Sequence, residues 1–459
     1  MISRMLGLSW RLELSNLLML AVPLAISQVG LLAMSVTDTI MMGRISAEAL
    51  AAGGLAATVA FSMLIFCQGL FMALQPILAQ LRGAGCSVTV PRIVAATFLT
   101  TLLCSAPIIL LLLNIDHFLI LTGTDAPLAH MALDYEKGMV WGIPAALWNL
   151  TSRYYLSAVE RPRIILLTTI GACFANGGMN WILIHGHLGF PAFGLRGSAY
   201  ATSLSCWGMA VTMTVYAFRQ KLVPPGILSV TRQEIWLGMK ELFRIGWPIA
   251  CTIIAEMGLF SVSTVLMGRF GPIPLAAHQI CLNIASLTFM VPMAIGQAAT
   301  VRVGFHIGAG QPALARQAGF LSLILGIGFM ALSATILKLF TSTVVGLYLD
   351  DSDPDVGKVL EIGRQMITLA ALFQLFDGAQ TVAGGALRGL KDTHAAMVVA
   401  TTGYWGLGLP AGVVLAFFLG VGPTGLWWGF LAGLSVVAVL LTWRFTRMSA
   451  RLVASQITH

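Results

Sequence analysis

Apolar residues run almost unbroken from Asn16 to Phe445 in long stretches separated by short polar connections. A helix that crosses a bilayer needs about 20 mostly apolar residues, and stretches of that kind recur roughly twelve times. In the first half they fall near Asn16–Gly43, Leu50–Leu81, Pro91–Asn114, Tyr135–Val159, Ile164–His185 and Phe193–Ala217. In the second half they fall near Leu242–Met267, Leu275–Val303, Leu314–Phe340, Ile362–Leu387, Ala395–Leu419 and Thr424–Phe445. Runs of about 30 residues exceed the hydrocarbon thickness and predict tilt or a kink. The fold class that follows is an all-α polytopic membrane protein.

The two halves superpose on each other at a constant shift of 225 positions. Pro23 falls on Pro248, Met42-Gly43-Arg44 on Met267-Gly268-Arg269, Leu50-Ala51-Ala52 on Leu275-Ala276-Ala277, and Gly83-Ala84-Gly85 on Gly308-Ala309-Gly310. Later the match weakens, although Gly194 to Gly197 still resembles Gly422 to Gly425. Six helices per half is an even number, so both halves enter the membrane from the same side and the repeat is parallel. The expected organisation is an N-terminal six-helix lobe over residues 1–220, a linker over 221–234 and a C-terminal six-helix lobe over 235–459. Duplicated transport folds use such lobes for alternating access; duplication for bundle stability alone is the plainer reading.

Composition changes this picture little: 58% of residues are hydrophobic, 10% are charged and the mean hydropathy is +0.88. The net charge of +8 raises the question of a nucleic-acid partner. Its distribution answers against one. Arg4 and Arg11, Arg82 and Arg92, Arg161 and Arg163, Arg219, Lys221, Arg232 and Lys240, Arg302 and Arg316, Arg388 and Lys391, and Arg444, Arg447 and Arg451 fall on one side. The opposite connections carry Asp116, Asp125, Asp134 and Glu136, then Asp350, Asp351, Asp353 and Asp355. The positive-inside rule then places both termini in the cytoplasm. The first apolar run follows basic residues as a signal peptide would, but it is too long for one and is read as a retained helix. Seven scattered cysteines give neither a disulfide framework nor a metal spacing.

Three acids interrupt the apolar runs: Asp38, Glu256 and Asp377. An ionised acid at membrane depth costs a few kcal/mol, so such groups face internal cavities and bind ions or protons. Asp38 stands five residues before Gly43, about 7 Å inside the end of its helix, where capping or snorkelling is a second reading. Glu256 lies about 18 Å from its outer helix end, near mid-membrane. Asp377 is also central, with Gln374 and Gln380 three residues to either side, a stripe resembling the wall of a polar cavity. Asn176 and Asn180, spaced by one turn, either complete a network with Asp38 or glue helices together. His278, Gln279 and Arg153 read as structural anchors. Phe373, one turn before Asp377, offers no oxygen to a sodium ion, so coupling to H+ is favoured over Na+ at Glu256 and Asp377. No Walker loop, metal-ligand cluster or nucleophile and base pairing appears, so no enzyme activity, no cofactor and no ATP-driven step is expected.

Val36-Thr-Asp-Thr-Ile-Met-Met-Gly43, Leu275-Ala-Ala-His-Gln279, Pro292-Met-Ala-Ile-Gly296 and Gly385-Ala-Leu-Arg-Gly-Leu-Lys-Asp392 together resemble the multidrug and toxic compound extrusion (MATE) transporters, particularly their NorM-like branch. The resemblance implies an antiporter of the bacterial inner membrane, working as a monomer in lipid and exporting drugs and dyes, mostly cationic and aromatic, in exchange for H+ or Na+. It implies that Asp38 is the first-lobe acid with Asn176 and Asn180 beside it, and that Glu256 and Asp377 bind the coupling cation in the second. Phe373 stands where some sodium-coupled relatives look to carry tyrosine. The alternative within the wider superfamily is a lipid-linked oligosaccharide flippase, whose cavity should be rich in Arg and Lys; the central charges here are acidic.

Overall fold

The computed structural model describes residues 2–346, 348 and 356–457. Asp350, Asp351, Asp353 and Asp355, expected on an outer connection, lie outside the described residues. Among the described residues every regular element is helical. The first half contains α1 (Ile2–Gly43), α2 (Ala47–Met72), α3 (Leu74–Gly83), α4 (Val90–Leu112), α5 (Ile115–Leu121), α6 (Ala126–Met139), α7 (Ile143–Ala158), α8 (Pro162–His185) and α9 (Leu195–Arg219). The second contains α10 (Arg232–Met267), α11 (Pro272–Gly308), α12 (Pro312–Leu339), α13 (Thr341–Gly346), α14 (Val356–Gly389), α15 (Thr393–Thr401), α16 (Leu409–Val413) and α17 (Thr424–Ile457).

Each of the twelve expected spans falls on helix, as a two-lobe, twelve-helix membrane protein requires. Nine segments among the described residues are long and apolar enough to cross a membrane on their own. The three regions outside that set, α6 with α7, α8 and α9, carry the buried polar residues described below; their lower hydropathy is a trace of the site. Two spans are less regular than expected. Tyr135–Val159 is interrupted by a 3-10 turn at Val140–Gly142, just before Pro144, which lacks the amide a continuous helix needs. Ala395–Leu419 contains two π-helical segments, Thr402–Gly408 and Val414–Phe418, around Pro410. Pro410 cannot donate to the Gly406 carbonyl, and the surrounding glycines let the backbone widen.

Local sequence explains the helix ends. Prolines occupy the first turn of α4, α8, α11 and α12, where a missing amide costs nothing. Ser46 caps α2 by accepting from the Ala49 amide at 3.0 Å. Thr231 and Glu234 form a reciprocal capping box at the start of α10. The repeat is visible in the backbone too: Gly85 and Gly310, 225 positions apart, take the left-handed conformation at φ +68° and +67°. Both end their helices in the turn that only glycine adopts freely.

The chain forms two compact units. The N-unit comprises Ile26–Leu81 and Cys86–Ala250; the C-unit comprises Met1–Ala25, Arg82–Gly85 and Cys251–His459. These differ from the expected lobes by the N-terminal parts of α1 and α10 and by Arg82–Gly85, so residues 221–234 lie inside a unit. Both breaks fall two residues after an internal proline, Pro23 or Pro248. At 42 and 36 residues these helices outrun a bilayer, and each proline withdraws an amide where the helix divides.

Within the N-unit, α9 packs on α6, α7 and α8, while α2 meets α6 and α4 meets α7. Within the C-unit, α11 and α14 cross most extensively, flanked by α12 and α17. Backbones approach closely there: Thr300 Oγ1 donates to the Gly296 carbonyl of its own helix at 2.9 Å and to the Gly385 carbonyl of α14 at 2.8 Å. Large apolar side chains cover the outside while polar ones turn in. On α8, Phe174 is 79% exposed whereas Asn176 and Asn180 are fully buried.

Candidate ion-coupling site

In the N-unit, α1, α8 and α9 bring four polar side chains into one buried cluster. Asn180 Nδ2 donates to Asp38 Oδ1 at 2.6 Å, and Thr202 Oγ1 donates to Asp38 Oδ2 at 2.9 Å. Asn180 Nδ2 also reaches Asn176 Oδ1 at 3.1 Å, and Asn176 Nδ2 reaches Thr202 Oγ1 at 3.4 Å. All four residues are buried, so Asp38 does not snorkel. It forms no ion pair among the described residues; neutral donors alone hold it. One acceptor stays open, because Asn180 Oδ1 is buried without a partner.

In the C-unit, α10 supplies Glu256, α14 supplies Asp377 and Gln380, and the first π segment supplies Tyr404. Gln380 Nε2 stands between the acids, 3.0 Å from Glu256 Oε1 and 3.1 Å from Asp377 Oδ1. Tyr404 Oη donates to Gln380 Oε1 at 2.7 Å. In this arrangement the amide nitrogen, not its oxygen, faces the acids. Asp377, Gln380 and Tyr404 are buried, and Glu256 is half-buried.

Gln374 does not join this group, as its spacing suggested. Its Oε1 accepts from Ser333 Oγ of α12 at 3.0 Å, and its Nε2 is buried without a partner. The helical stripe is real, but α12 draws this end of it aside. Phe373 is packed and lines no open space: its ring lies edge-on to Phe260 and Trp427 and near Phe430, at centroid distances of 6.1, 6.0 and 6.3 Å. Phe260 is one turn beyond Glu256, as Phe373 is one turn before Asp377, so an apolar plug adjoins the acid pair. His278 and Arg153 are buried and tied to neighbours, His278 to Thr264 and Arg153 to Gln28.

Several polar residues escaped the sequence reading. Thr202 and Tyr404 belong to the two clusters, yet a lone threonine or tyrosine in an apolar helix carries no signal of its partner. Glu136, expected on an outer connection, is fully buried in α6 because α2 and α9 cover that helix. Glu13, ten residues before Pro23, receives Arg302 Nε at 2.8 Å and Arg302 Nη2 at 2.6 Å, with His306 Nε2 at 3.1 Å. Arg302, counted among the basic residues that orient the chain, is part of this buried ion pair. Among the described residues, no group of three or more His, Cys, Asp and Glu side chains is gathered as a metal site.

Residues 23–182 and 248–414 match the MatE family model, one copy in each half of the chain. This chain belongs to the MatE family. Similar MatE chains include the probable multidrug resistance protein NorM of Burkholderia mallei, 43% identical over 94% of this chain and 92% of the relative. The multidrug resistance protein NorM of Burkholderia vietnamiensis is 41% identical over 95% and 94%. The fold matches the Vibrio cholerae MATE transporter VcmN at a TM-score of 0.88 and 16% identity, covering 96% of this chain and 98% of that one. A eukaryotic MATE transporter matches at 0.82 and 23%, covering 97% and 100%. The chain is thus a multi-pass membrane protein of the NorM-like branch, a transporter family and not an enzyme family. Acids in such a fold have no bond to break; what they can do is change charge.

Proposed function

We propose that this protein is a secondary multidrug antiporter that exports cationic and aromatic compounds in exchange for protons by alternating access of its two lobes. Multidrug efflux is the activity of its NorM-like relatives' names, and 43% identity over nearly the whole chain carries it here. The observation that favours H+ over Na+ is the Gln380 amide. A sodium ion at Glu256 and Asp377 wants several oxygen ligands. Here an N–H donor bridges the acids where such a ligand would stand, whereas a proton needs only one carboxylate oxygen.

The chemistry is a competition for negative charge. With the acids ionised, each cluster is an anionic surface in low dielectric, attractive to a cationic drug. Protonation removes the charge and favours the other conformation by the difference in proton affinity between the two. Asp38 is suited to this role: only neutral donors hold it, so gaining or losing a proton strands no partner charge. The basic connections put both termini in the cytoplasm of a bacterial inner membrane.

The test is ethidium efflux from proteoliposomes under separately imposed H+ and Na+ gradients. Efflux should follow the H+ gradient, and a folded Asp377→Asn variant should lose it. Efflux driven by Na+ alone, or normal efflux by Asp377→Asn, would overturn the assignment.

A further inference from the structure

Glu136 is the one fully buried acid among the described residues whose two carboxylate oxygens both lack a partner. It sits in α6, one residue from Tyr135, and the clusters above make no use of it. The titratable groups nearest it include Tyr135, its neighbour in sequence, and the buried Cys206 of α9. On α6 itself, Asp134 is held by Arg196 of α9 at 2.6 Å and by Lys137 at 3.4 Å. On α5, Asp116 is held by His117 at 3.0 Å and by His130 of α6 at 3.6 Å. On α2, Glu48 lies in the first turn. None of these donates a hydrogen bond to Glu136 or pairs with it.

An ionised carboxylate so placed would forfeit its hydration with nothing in return; the neutral acid forfeits far less. Asp38, in the same unit, is arranged the opposite way. Both its oxygens accept hydrogen bonds, which suits the anion. The Tyr135 hydroxyl, itself buried, lies within electrostatic range of both acids. One unit therefore holds an acid whose charged form is met by donors and, within range of the same tyrosine, an acid whose charged form is met by none.

We propose that Glu136 is a second proton-carrying acid of the N-unit, releasing its proton to water as drug loads and taking one from water as drug leaves. The step is a proton exchange alone: the carboxyl O–H bond breaks to give carboxylate and hydrated H+, then re-forms. This rests on the proton-antiport reading and adds a carrier to it. A structural glutamate would have a partner to hold; Glu136 has only its proton to lose.

The experiment uses the full-length protein in detergent, with tetraphenylphosphonium as the drug. Infrared difference spectra should show a protonated-carboxyl carbonyl band that disappears on drug addition, and unbuffered pH measurement should show protons released. Glu136→Gln, isosteric and neutral, should bind the drug, lose that band and release one proton fewer per drug bound. Glu136→Asp should restore both signals, and Asp38→Asn should leave the band in place. The proposal is overturned if Glu136→Gln keeps the band or releases as many protons as the parent protein. If the parent binds the drug and releases no protons at all, the antiport reading itself fails, which is a different and separable result. Should Glu136→Gln not fold, Glu136→Asp decides alone: the band must persist at a shifted frequency, and an unshifted band sinks the assignment.

Discussion

At the scale of single residues, what matters is whether a buried charge has a fixed opposite charge or only neutral dipoles. Glu13 has the former: two bonds from the Arg302 guanidinium and a histidine nitrogen, all three side chains at least nine-tenths buried. Removing one member leaves the other uncompensated, so Glu13→Ala should destabilise the protein by about 3–5 kcal/mol. A Glu13→Leu, Arg302→Met double variant should recover most of that loss, read as the melting temperature in detergent. Asp38 and Asp377 have the latter, so a change of their charge would strand no partner; Glu256, held by Gln380, also lies within electrostatic range of Arg388. Tyr404 tests the distinction. Tyr404→Phe deletes one hydrogen bond worth about 1 kcal/mol and frees the Gln380 amide to turn. Proton-driven ethidium efflux should fall several-fold with little change in melting temperature, and efflux should begin to respond to Na+.

At the scale of elements, the site depends on helices that come closer than ordinary side chains allow. A Cβ placed on Gly385 would stand 2.2 Å from the Gly296 carbonyl oxygen, at the crossing of α11 with the helix that carries Asp377 and Gln380. Gly385→Ala should cost about 1–3 kcal/mol through forced separation. Because α14 would be displaced, efflux should drop more than stability alone explains; efflux that tracks the melting temperature would argue against that link. Helix existence was largely legible in the sequence, since burial in lipid demands the same long apolar run whatever the neighbours. Helix irregularity was not. Pro410 signalled a disturbance, but nothing in Tyr404 and its glycines said that the disturbance is a π segment aiming a hydroxyl at Gln380. Asp38, Glu256 and Asp377 were legible because each is conspicuous against apolar surroundings; Thr202 was invisible because threonine satisfies itself on its own helix almost anywhere.

At the scale of the whole molecule, the proposed cytoplasmic placement of the basic connections makes one prediction of topology. A fluorescent protein fused to either terminus should fold and shine in bacteria, while alkaline phosphatase fused there should stay inactive; the reverse pattern would invert the assignment. The sequence by itself determined the membrane class, the spans, the parallel duplication and the acids that interrupt the apolar runs, because each is a property of local composition or of a register constant along the chain. The tertiary structure alone decided which polar groups meet. It joined Asn180 and Thr202 to Asp38 and Tyr404 to Gln380, turned Gln374 toward Ser333, paired Glu13 with Arg302 and enclosed Glu136. It also set the division between units within α1 and α10 and outside the linker. The physical reason is range: hydrophobicity acts on each residue where it stands, whereas a hydrogen bond acts over about 3 Å between residues that may be more than a hundred positions apart.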